Sequence, residues 1–174
     1  MCIRDRYNAE PLADFIDLAL IGEGEDEVPE LLELYRRAKR EGWTKSRFLR
    51  AAADIQGVYV PSLYDVTYND DGTVRAITPL DGAPAKVYKR VVHDMDKSYF
   101  PAKTIVPSTE VVHDRVTLEL FRGCIRGCRF CQAGYVYRPV RPRKPETIVR
   151  LGIESFRNTG YQEATLLSLS SSDY

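Results

Sequence analysis

No stretch of about 18 apolar residues runs through this chain, which excludes a membrane-crossing helix. The first residues also lack the apolar core of a secretory signal, so the reading is a cytoplasmic protein. Charge of one sign is missing too. Lys plus Arg and Asp plus Glu stand at 25 each, and the overall balance gives no pull toward nucleic acid or membrane. Internal repeats and low-complexity segments are absent. Histidine is scarce, with only His93 and His113, so a metal site built on imidazole has few ligands to draw on. What remains is an ordinary globular composition: 174 residues at 44% hydrophobic content, enough for one core or the junction of two domains.

The local patterns are those of a mixed α/β chain. Phe15 to Ile21 is an apolar run that reads as a strand. It ends at Gly22-Glu23-Gly24-Glu25 and leads into a helix with Val28, Leu31, Leu32, Leu34, Tyr35 and Ala38 at helical spacing. Strand, glycine turn and helix make the repeating unit of a doubly wound, Rossmann-like domain. The acidic Glu23, Glu25, Asp26 and Glu27 argue against a phosphate at this helix start and complement the helix dipole instead. A second helix is predicted from Thr44 as N-cap to about Asp54. Tyr64 to Thr78 alternates around Asn69-Asp70-Asp71-Gly72 as a β-hairpin. Residues 81–107, with Pro84, Pro101 and Pro107, read as a linker. Val116 to Leu120 reads as a buried strand. Pro145 opens a helix with Ile148, Val149, Leu151, Gly152 and Phe156 on its apolar face and Gly160 as its C-cap, and a buried strand follows at Thr165 to Leu169.

Cysteine placement carries the chemistry. Three of the four cysteines, Cys124, Cys128 and Cys131, crowd into eight residues, and Cys2 stands apart. Three thiols at spacings of four and three can wrap one inorganic cluster. Structural zinc sites and ferredoxin-type clusters close with four protein ligands, so three leave an open metal position. The competing readings are a zinc knuckle completed by His93, His113 or Cys2, and a disulfide, which a cytosolic setting disfavours. Arg122, Arg126, Arg129, Arg138, Arg141, Arg143 and Lys144 gather around the same segment with no interleaved acid. They read as an anion patch, with Tyr135 and Tyr137 as stacking surfaces for an RNA substrate, or as a solvated face.

The Cys-x3-Cys-x2-Cys spacing, with Phe130 before the last cysteine and a strand before the first, resembles the signature loop of the radical SAM superfamily. The resemblance implies that Cys124, Cys128 and Cys131 ligate a 4Fe-4S cluster whose fourth iron chelates S-adenosylmethionine (SAM). It implies reductive cleavage of SAM to a 5′-deoxyadenosyl radical, an electron donor as partner, and Phe130 near the adenine. At the end of the next strand, where the superfamily's often glycine-rich acidic motif meets the SAM amino group, this chain has Ser168-Leu169-Ser170-Ser171-Ser172-Asp173. Ser170, Ser171 and Asp173 are carried to that role.

From Asn8 onward the chain is similar to a radical SAM subfamily with an N-terminal cobalamin (B12)-binding-type domain. Glu10-Pro11-Leu12-Ala13-Asp14-Phe15, Ile21-Gly22-Glu23-Gly24-Glu25, Gly57-Val58-Tyr59-Val60-Pro61, Arg122-Gly123-Cys124 through Tyr135 and Leu167 to Tyr174 carry the likeness. It implies the end of a Rossmann-like B12-type domain over 8–56, a hairpin and linker over 57–107, and the first β-α-β of a partial (β/α)6 barrel over 108–174. Met1 to Arg6 looks like a translated sequencing adapter, making 1–7 a scar. The chain then reads as an internal fragment, inactive alone, of an enzyme for which cobalamin is an implied partner.

Overall fold

The computed structural model describes residues 9–109 and 111–174, so the expected scar at 1–7 and Cys2 lie outside the described residues. The chain is mixed α/β with small sheets and divides into two compact units, Met1–Val92 and His93–Tyr174. Among the described residues no helix is long and apolar enough to cross a membrane.

The first unit departs from the predicted pattern at its start. Pro11 sits in the first turn of a 3-10 helix, Glu10–Phe15, and only Ala19–Leu20 (β1) pair as a strand. The partner of β1 is Val58–Tyr59 (β2), and the pair is antiparallel. The described residues of this unit thus form no parallel sheet of the doubly wound kind. Two helices fill the connection. Gly24–Arg40 (α1) carries Glu25, Asp26 and Glu27 in its first turn and Arg37, Lys39 and Arg40 in its last, matching its dipole at both ends. Lys45–Ala52 (α2) is capped as predicted, Thr44 Oγ1 accepting from the Arg47 amide at 3.3 Å. The core gathers Leu49, Ala52, Ala53, Val58, Val60, Leu63 and Ala83, with Leu31 and Leu34 of α1 packed against it. Val28, Leu32 and Tyr35 lie on the exposed side of α1. The hairpin forms as read, Tyr64–Tyr68 (β3) against Val74–Pro79 (β4), with Asp71 Oδ1 accepting from the Thr73 amide in the turn.

The Gly22 turn serves structure. Arg90 donates its amide to the Ile21 carbonyl at 2.8 Å, and Glu23 takes the Val92 amide on Oε2 at 2.6 Å. Glu27 is fully buried with neither carboxylate oxygen hydrogen-bonded. It lies over Gly57 (φ 99°), where a Cβ would stand 2.4 Å from Glu27 Oε1, so only glycine fits beneath it. Desolvation pushes the Glu27 carboxyl up to about 7, against the pull of Arg90, which is itself ion-paired to Glu30 at 3.1 Å. A carboxyl raised from 4.5 to about 7 contributes stability that is complete below pH 4.5 and lost as pH rises through 7. The wild-type chain is therefore expected to lose on the order of 2–3 kcal/mol across that window relative to Glu27→Gln, which is neutral throughout. Urea midpoints at pH 5 and pH 8 check this, and parallel curves for the two proteins would refute it.

The second unit is built on a crossover. Val116–Glu119 (β5) pairs in parallel with Ala164–Leu167 (β8), and Pro145–Thr159 (α4) runs between them. Gly160, at φ 78°, closes α4 as read from the sequence. Between β5 and α4 lie Phe121–Arg122 (β6), the cysteine loop, Ala133–Val136 (α3) and Arg141–Pro142 (β7), with β6 antiparallel to β7. Val116, Leu118, Leu120, Phe121, Ile148 and Leu151 form the core. Two expectations change here. Val149 is exposed, and Ser155 replaces it on the buried face of α4. The strand at Thr165 is not buried: Leu166 and Leu167 are more than half exposed, and among the described residues β8 belongs to a two-stranded sheet with β5.

Candidate iron-sulfur site

Residues 123–131 leave β6 without regular structure and tighten only at the end, where the Cys131 amide donates to the Cys128 carbonyl at 3.0 Å. Gly123 makes the exit possible. Its φ is 92°, and a Cβ there would stand 2.8 Å from the carbonyl oxygens of both Tyr137 and Pro139. The returning backbone of 137–140 thus presses against the root of the loop.

Cys124, Cys128 and Cys131 are free thiols, Cys128 exposed and the other two half-buried. None of the three is in a disulfide. Among the described residues no group of three or more His, Cys, Asp or Glu side chains stands at metal-ligating spacing. Neither His93 nor His113 is gathered with the thiols, and the three thiols are not themselves drawn together. The donor set nonetheless suits an iron-sulfur cluster in its chemistry: three accessible soft ligands on one short irregular segment. Phe130 is 93% exposed and Ile125 is exposed beside it, so the loop presents apolar surface next to its thiols.

Residues after β8 fold back over this stem. Ser171–Asp173 is a 3-10 turn, and Ser168 and Ser171 share a hydrogen bond of 2.8 Å. Ser170 Oγ donates to Asp173 Oδ2 at 2.7 Å. Tyr174 stacks on Phe121, ring centroids 6.3 Å apart, and its hydroxyl donates to the Arg143 carbonyl at 2.8 Å. The carried-over residues Ser170, Ser171 and Asp173 thus reach the cysteine-loop side of the unit. Asp173 arrives already engaged with Arg126, and the hydrogen bond from that guanidinium is the main reason its carboxyl is held below the usual range.

The seven cations do not form the acid-free patch read from the sequence. Arg122 forks onto Glu119 at 2.8 and 3.1 Å. Arg143 is buried, bonded to the Met95 carbonyl and to Ser98 Oγ, and lies 3.6 Å from Glu119. Arg141 donates to the carbonyls of Pro139 and Tyr137. Lys144 precedes α4 as its N-cap residue, and its amide donates to Asp96. Arg129 and Arg138 face solvent, with Arg138 over the Tyr135 ring at 5.2 Å. Glu119, Arg126 as an anchor and Tyr174 were missed in the sequence, since their partners lie across the fold or depend on side-chain direction.

Residues 2–61 match a family described as radical SAM proteins, N-terminal. This match supports the radical SAM superfamily, whose members in general use SAM and a 4Fe-4S cluster, and it falls entirely before the cysteine loop. Over 174 residues the chain is 27% identical to an uncharacterized protein of Methanocaldococcus jannaschii, an alignment covering 99% of this chain and 31% of that protein. The chain thus spans about a third of the length of this relative. No solved structure matches it significantly.

Proposed function

We propose that Cys124, Cys128 and Cys131 hold a 4Fe-4S cluster that binds SAM, and that the chain belongs to a longer radical SAM enzyme. The carrying observation is the set of three free thiols within eight residues on one irregular loop, which leaves the short β6 just beyond β5 of the parallel pair. The N-terminal family match supports the same reading from a separate part of the chain. When bound, the cluster supplies the electron that reductively cleaves SAM, which makes an electron donor a required partner. Phe130 offers an uncovered aromatic face for the adenine. Ser170, Ser171 and Asp173 supply polar groups on the same side of the unit. Parallel β5 and β8 are read as the first two strands of a (β/α)6 barrel. Cobalamin, the Rossmann-like N-terminal domain and the substrate belong to the longer protein. An RNA substrate has little support here, because most of the cations proposed for it are bonded within the unit.

The test is anaerobic cluster reconstitution of the full-length protein, followed by electron paramagnetic resonance of the reduced cluster before and after adding SAM. The expected result is a four-iron signal whose g-values move with SAM. Bound zinc, or a signal blind to SAM, would replace this reading with a structural metal module.

A further inference from the structure

Arg126 stands between the first and second cysteines, and its partner lies at the far end of the crossover. Its Nε donates to Asp173 Oδ2 at 2.9 Å, and its Nη2 donates to Asp173 Oδ1. Ser170 Oγ adds a bond to the same Oδ2 at 2.7 Å. The Asp173 side chain is 12% exposed and that of Arg126 60%, so the fork is covered on its carboxylate side and open to solvent on its guanidinium side. Neighbouring Tyr174 is fixed to Phe121 and to the Arg143 carbonyl, which anchors the segment from which Asp173 projects. One side of that segment is pinned to the stem of the cysteine loop and the other to the loop itself.

An ammonium group arriving at Asp173 would meet a carboxylate that already accepts three hydrogen bonds. A planar guanidinium matches both oxygens at once, whereas an ammonium is a point charge that cannot reproduce the fork. Displacement would also release the loop that carries the thiols. We infer that Arg126, Asp173 and Ser170 form a clasp that seats the cysteine loop beside the end of β8, and that Asp173 is a positioning residue for the loop rather than the acceptor for the SAM amino group. This rests on the reading of the loop as the cluster site.

The test uses the full-length protein as wild type, Asp173→Asn, Arg126→Gln and the double variant, with Ser170→Ala as a milder change. Two readouts do not depend on turnover: amide hydrogen exchange across 124–131 in the metal-free protein, and iron retained after reconstitution. Each single variant is expected to speed loop exchange by about two- to fivefold, as for loss of a partly exposed charge-assisted fork. Exchange in α4 should stay unchanged, and less iron should be retained. The double variant should be no worse than either single, because both remove one interaction. Ser170→Ala should give a smaller change in the same direction. SAM should bind the cluster-loaded fraction of Asp173→Asn as it binds wild type. Wild-type loop exchange and iron in Asp173→Asn, with or without weakened SAM binding, would overturn the clasp. A wild-type protein that takes up no cluster would sink the proposed function, while the exchange measurements would still decide the clasp.

Discussion

Alanine at Cys124, Cys128 and Cys131 together is expected to abolish iron and sulfide uptake while leaving both units folded. The first part follows from ligand count: on the proposed reading these three thiols are all of the cluster's protein ligands, and the described residues hold no ready-assembled group of metal-ligating side chains to replace them. The second follows from position. Cys128 is exposed, the other two are half-buried, and none belongs to either hydrophobic core, so the stability change should stay within about 1 kcal/mol. Iron and sulfide assays with visible absorbance measure the loss, and circular dichroism measures the fold. Full loss from each single variant would show that all three thiols are needed. Retained iron in the triple variant would place the cluster elsewhere in the protein.

Gly123→Ala should be the most damaging single change at the site. Alanine at φ 92° is strained, and its Cβ would collide with two carbonyl oxygens and the Val140 Cα, all backbone atoms that cannot rotate away. Strain and overpacking together are worth about 3 kcal/mol or more. The expected result is a clear fall in the denaturation midpoint, with the 137–140 segment losing hydrogen-exchange protection and cluster uptake falling. Gly127→Ala is the control in the same loop, because nothing lies within 4 Å of its Cβ position. Equal stability of the two variants would show that the close approach at Gly123 is easily relieved.

Much of the second unit could be read along the chain because its signals are local. Pro145 and Gly160 bracket α4 in the positions that favour a helix start and a left-handed end. Thr44 did the same for α2, and Asn69-Asp70-Asp71-Gly72 for the hairpin. Of the apolar run at Phe15 to Ile21 only Ala19–Leu20 pairs as a strand, because hydrophobicity alone does not say how much of a run finds a partner. Leu166 and Leu167 misled because burial of a strand depends on neighbours, not on its own residues. At the site, the cysteine spacing was visible but the fate of the arginines was not. Adjacency in sequence suggested one patch, while Arg122, Arg126 and Arg143 each turn to a different carboxylate or carbonyl.

The bond between Arg126 and Asp173 joins residues 47 positions apart in the chain. During synthesis the thiols leave the ribosome well before the aspartate that pairs with Arg126, since the chain emerges N-terminus first. Closure of the fork is thus a late event, completed only once the segment after β8 has emerged.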